Sequence, residues 1–191
     1  MKKTIILFLL IIATSLLFSG CGKKKSDTLD PPFQGTTVRD ITFKGDDMAK
    51  NLGAAWGGNI ENDGETNATV SHLLDFPDNR ILKTVILFVG IFDLGKEQQT
   101  ADETLPQYTQ LYNSIQAAQI FCVGILPVTD TAPYNSSLWP EIFKLNQGIK
   151  TLCGDTHYID TWIIPFTSQD GIHPDAAMNA LIKAKIVALS G

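Results

Sequence analysis

Residues 83–93 read Lys-Thr-Val-Ile-Leu-Phe-Val-Gly-Ile-Phe-Asp, and this stretch decides the fold. A strand with one wet face alternates apolar and polar residues, whereas Val85 to Val89 is apolar at every position. That pattern is expected for a strand, over 83–89, that is buried on both faces. A second run of the same kind, 120–126, is closed by Pro127. The intervening residues 105–118 carry Leu105, Tyr108, Leu111, Tyr112 and Ile115 on one helical stripe. On the N-terminal side, 38–44 is expected as a first strand, 46–56 as a helix opening directly from it, 58–61 as a short strand and 69–76 as a short helix. On the C-terminal side, 136–152 is expected as a helix, 157–159 as a short strand and 174–189 as the closing helix. No internal repeat interrupts this alternation. It implies an α/β fold: a three-layer sandwich with a parallel sheet between helices. Such sheets bind ligands beyond the carboxyl ends of their strands, so the residues there are the ones to inspect.

Composition narrows the function classes. The chain has 191 residues, 44% hydrophobic and 18% charged, and a formal charge of -5. A pI near 5.1 offers no basic surface to release counterions from phosphates, so nucleic acid is not an expected partner. Disorder, collagen and coiled coil do not fit these proportions. A multi-span membrane protein does not fit either, because the one long apolar run is N-terminal.

That run reads as a signal peptide over 1–20. Lys2 and Lys3 precede an apolar stretch from Ile5 to Leu17, and Phe18-Ser19-Gly20 leads into Cys21. It resembles a bacterial lipoprotein signal, departing from it at Phe18. That resemblance implies a lipid such as palmitate on Cys21, a membrane anchor and a place in the bacterial cell envelope. The alternative is an ordinary secretory signal with a chance cysteine. Residues 21–36 then form a tether, with Lys23, Lys24 and Lys25 and two prolines but no apolar period, and 37–191 form the domain. Cys122 and Cys153 remain. In an oxidising compartment they can pair, or Cys122 can be a plain core residue.

Four clusters fall at strand ends: Gly45-Asp46-Asp47, Asn62-Asp63-Gly64, Gly90-Ile91-Phe92-Asp93 and Asp170-Gly171-Ile172-His173-Pro174. Each is weak alone. In this order and spacing they resemble the SGNH hydrolases, the GDSL-type esterases and lipases, over nearly all of the mature domain. FKGDDMAKNLG stands where that family's Gly-Asp-Ser block lies, and NDGETNATVSHLL places Gly64 on its glycine. VILFVGIFDL matches the Gly-x-Asn-Asp block, and DGIHPDAAMNALI the Asp-x-x-His block. The resemblance implies strand order 2-1-3-4-5, a flavodoxin-like sheet, and a catalytic set at Asp47, Asp170 and His173. It implies an oxyanion or ligand pocket around Gly64, Gly90, Phe92 and Asp93. No cofactor is implied.

Two departures matter. The family's serine nucleophile is replaced by Asp47, and its oxyanion asparagine by Phe92. A carboxylate beside His173 favours imidazolium and so removes the general base. It also places negative charge where an oxyanion should develop. Losing one oxyanion donor costs about 10²–10³ in rate, and losing a triad nucleophile about 10⁶. One expectation is therefore a pseudoenzyme that binds a glycan or acylated small molecule as a monomer, with Phe92 either at the pocket mouth or packed against its sheet edge. A second is a hydrolase using Asp47 as nucleophile, His173 as base and Asp170 as orienter. In a third, Asp46, Asp47, Asp170 and His173 gather a divalent metal, although Asp46 is better placed as a helix cap.

Overall fold

The computed structural model describes residues 39–129, 133–168 and 170–190, which belong to the compact unit Val38–Gly191. The signal peptide, Cys21, the tether and Val38 lie outside the described residues. Five strands form one all-parallel sheet in the order β2-β1-β3-β4-β5. They are β1 (Ile41–Gly45), β2 (Ile60–Gly64), β3 (Leu82–Phe88), β4 (Ala117–Val123) and β5 (Tyr158–Ile159). The helices are α1 (Asp47–Trp56), α2 (Val70–Asp75), α3 (Ile91–Gly95), α4 (Ala101–Ser114), α5 (Trp139–Cys153) and α6 (Ala176–Ser190). This is the α/β sandwich and strand order expected above. Among the described residues, no helix is long and apolar enough to cross a membrane.

The core follows from the apolar runs. Val85 to Val89 and Phe121 to Val123 are buried, as strands covered on both faces must be. β4 is tied to the end of α5 by a Cys122–Cys153 disulfide across 31 residues. Closing a loop of that length in the unfolded chain contributes about 3–4 kcal/mol. The pairing, rather than a free core cysteine, is what the fold adopts.

Element ends differ from expectation for local reasons. α4 begins at Ala101, ahead of the expected 105, because Thr100 and Glu103 form a capping box; Pro106 reads as a helix start but lies inside the helix. β2 runs to Gly64, so Asn62-Asp63-Gly64 is strand rather than the turn after it, paired through Gly45↔Gly64. Gly90-Ile91-Phe92-Asp93 is not a loop but the cap and first turn of α3.

Candidate active site

The carboxyl ends of β1 and β2 are built on close backbone approach. Gly45 has φ 149, and a Cβ there would lie 1.9 Å from the Phe88 carbonyl oxygen, so only glycine fits. The next amide, of Asp46, donates to that oxygen at 3.1 Å. Asp46 is the N-cap of α1, its Oδ1 accepting the Met48 N–H at 2.9 Å. Its Oδ2 has no partner among the described residues. Burial pushes this carboxyl well above the usual range against the Met48 hydrogen bond, and the charges of Asp47 and Asp93 push the same way. Asp47 is the first residue of α1.

Opposite it stands the loop into α6. Asp170 Oδ1 accepts the backbone N–H groups of Ile172 (3.0 Å) and His173 (2.8 Å) and the Ser168 hydroxyl (3.1 Å). Its Oδ2 lies 2.5 Å from His173 Nδ1. Burial raises the Asp170 carboxyl, but the bonds from the His173 ring, the two backbone N–H groups and Ser168 outweigh it and hold it below the usual carboxylate range. Just beyond, Asp175 accepts from Met178 N–H and Thr167 Oγ1 (2.9 and 2.8 Å), which anchors the start of α6. The ring of His173 is thus oriented by Asp170, and its Nε2 faces Asp47 Oδ2 at 3.7 Å. That distance suits an ion pair and is too long for a hydrogen bond. Asp47, His173 and Asp170, chosen from sequence, are brought together.

The other four are arranged differently. At Gly64 a Cβ would meet the Lys50 nitrogen at 2.3 Å, so this too is a glycine position. Its N–H is turned to Asn62 Oδ1 at 3.3 Å, while Asn62 Nδ2 donates to the Lys50 carbonyl at 2.8 Å. Gly90 caps α3 and is buried. Phe92 is only 4% exposed, with its ring edge-on to Tyr134 at 5.8 Å. It is packed into the protein and offers no platform at a pocket mouth, because Tyr134 covers it. Asp93 is fully buried. Both its oxygens accept the Val70 N–H, at 3.1 Å each, bolting the start of α2 to α3. Burial pushes its carboxyl up to about 6 against that bond. It joins elements and faces no solvent.

Tyr134 is the wall residue that the sequence does not reveal. Burial, with the nearby charges of Asp46, Asp47 and Glu97, pushes its phenol up to about 12. Gly95 makes room for the ring, since a Cβ there would lie 2.1 Å from Tyr134 Cε1. Neighbouring polar and aromatic side chains are engaged in structural contacts. His72 pairs with Glu65 at 2.8 Å on exposed α2, and Ser168 serves Asp170. The indoles of Trp139 and Trp162 donate to the Val128 and Ile125 carbonyls, so both anchor the segment after β4. Among the described residues no group of three His, Cys, Asp or Glu side chains is set to hold a metal ion; Asp46 spends its Oδ1 on the helix cap.

No protein-family model matches the sequence, and no curated protein matches it. Solved structures do. A carbohydrate acetylesterase family member from Sinorhizobium meliloti superposes with a TM-score of 0.62 at 15% identity, covering 80% of this chain and 97% of that one. The M. smegmatis aryl esterase gives 0.60 at 14% identity, covering 79% and 99%. A member of the lipolytic protein G-D-S-L family from Veillonella parvula gives 0.58 at 12%, covering 78% and 95%. With its parallel sheet in the order 2-1-3-4-5, the domain therefore has the α/β fold of the SGNH (GDSL-type) esterases.

Proposed function

We propose that the chain is a cell-envelope lipoprotein, held to the membrane by lipid on Cys21. In this reading its SGNH-type domain has lost ester hydrolysis and binds an acylated or acetylated glycan. One observation carries the loss of chemistry: the group facing His173 Nε2, at 3.7 Å, is the carboxylate of Asp47. A carboxylate there carries no hydroxyl for His173 to activate, so the serine route of acyl transfer has no nucleophile. The same carboxylate puts negative charge where an oxyanion would develop. Two oxyanion donors are also missing or engaged, since Phe92 has no donor and the Gly64 N–H is given to Asn62. The Cys122–Cys153 disulfide supports an exported, oxidising location. An acetylated saccharide is suggested by the acetylesterase among the similar folds.

A second reading is favoured by the tightness of the Asp170–His173 pair. Asp47 Oδ2 attacks an electrophilic carbon, forming an ester bond as halide or epoxide oxygen leaves. A water deprotonated at His173 Nε2 then cleaves that ester and restores Asp47. Turnover of an acetyl ester, a haloalkane and an epoxide by the full chain tests both readings. The pseudoenzyme predicts no rate above background with any of the three. Haloalkane or epoxide turnover that Asp47→Asn abolishes would establish the second reading.

A further inference from the structure

Helix α6 is unusual for a helix at a protein surface. It buries Met178, Asn179, Ile182 and Ile186, so its opposite side should be polar. Instead, Ala177, Ala180, Leu181, Ala184, Val187 and Ala188 are all exposed there, with Leu181 at 45% and Val187 at 53%. At 3.6 residues per turn these six form one stripe along the helix. Lys183 and Lys185, both half-buried, fall on its two borders. Among the described helices α6 alone carries lysine and no carboxylate, in a chain of net charge -5.

Area, charge and chain length identify what covers this face. The stripe is about 22 Å long and about 10 Å wide, far short of the ~800 Å² per partner that a stable dimer buries. An apolar stripe between two lysines matches a bilayer surface instead. Its alkyl groups enter the headgroup boundary, the lysine stems lie along them, and the ammonium groups meet lipid phosphates. The chain also enters the domain beside α6. The described residues start at Arg39, whose guanidinium donates to Asn59 Oδ1. Three residues before Asn59, the Trp56 carbonyl accepts Lys183 Nζ of α6 at 2.5 Å. Cys21 to Val38 is 18 residues, which as a flexible tether span about 20–25 Å. Lipid on Cys21 would hold α6 within reach of the membrane at a high effective concentration.

We propose that α6 is a membrane-docking surface, its exposed stripe lying on the anionic phospholipid bilayer that anchors Cys21. The inference rests on the lipid anchor proposed above and is independent of whether Asp47 and His173 are active.

The test places the lipidated full chain on vesicles of phosphatidylcholine, alone or mixed with phosphatidylglycerol. A fluorophore is attached at Ala184→Cys, in the stripe, or at Gln110→Cys, exposed on α4. Nitroxide-labelled lipid quenches it where it touches the bilayer, and flotation with the vesicles reports the anchor separately. Quenching is expected at position 184 and not at 110, and more strongly with phosphatidylglycerol present. Leu181→Asp, at an exposed position that leaves the core untouched, should return 184 to the level of 110. Lys185→Met should lower the docked-to-free ratio about fivefold on the anionic vesicles, the share of one cation near such a surface. A chain that does not float overturns the anchor, and this proposal with it. A chain that floats with equal quenching at 184 and 110 overturns the docking alone. So does a dimer in detergent that Leu181→Asp separates, which would give the face to a second copy.

Discussion

The two sides of the Asp47–His173 cleft are built to different standards. On the α6 side, one carboxylate receives the His173 ring and two backbone amides within a four-residue loop, with Asp175 anchoring the helix behind it. On the side of β1, β2 and α3, the group facing the ring is the Asp47 carboxylate, the Gly64 amide donates to Asn62, and Phe92 is buried. The difference teaches that a well-held Asp–His pair does not by itself define the chemistry of a site. Chemistry depends on what faces Nε2 and on donors aimed at the oxyanion.

The comparison is sharpened most strongly at Phe92. If this side has become core, Phe92→Ala should cost about 3–5 kcal/mol, read as a lowered denaturation midpoint. A loss under about 1 kcal/mol would return Phe92 to the pocket. Asp93 should give the next largest effect. Its carboxyl, ordinarily near 3.8, is raised to about 6 by burial. The stability it contributes is complete below pH 3.8 and is lost as pH rises through 6. At about 1.4 kcal/mol per pKa unit, the loss reaches about 3 kcal/mol at most. Urea midpoints measured from pH 4 to 7 should fall more steeply in wild type than in Asp93→Asn.

The loop side should give the smallest effect. Asp170 is held below the usual range, so its contribution is present above about pH 4 and is lost as pH falls. Its side chain is 51% exposed, so solvent screening keeps the stability change on His173→Ala below about 1 kcal/mol. Carboxyl-carbon NMR should show the Asp170 titration moving up toward its ordinary value in that variant. An unmoved titration would mean that the backbone amides alone set it.

The fold was legible where burial is written into composition. Residues 85–89 and 120–123 are apolar throughout because helices cover both faces of those strands. β2 was not readable at its true bounds: Glu61 and Asp63 face Arg80, so Ile-Glu-Asn-Asp-Gly has no apolar period, and pairing with β1 defines the strand. Asp47, Asp170 and His173 were legible through the resemblance of Gly45-Asp46-Asp47 and Asp170-Gly171-Ile172-His173 to the SGNH blocks, because such short local motifs survive in sequence. The fates of Phe92 and Gly64 were not, since Tyr134 reaches Phe92 from 42 residues away, and Asn62 captures the Gly64 amide only when strand pairing sets their geometry.

The most direct measurement compares p-nitrophenyl acetate hydrolysis by the wild-type full chain, Asp47→Ser and Asp47→Ala. If the carboxylate at position 47 has silenced an otherwise esterase-like site, wild type and Asp47→Ala sit at background. Asp47→Ser then rises above both, still short of a full esterase by about 10²–10³ for each oxyanion donor missing or engaged. Wild-type turnover that Asp47→Ala removes would contradict this and make Asp47 the catalyst.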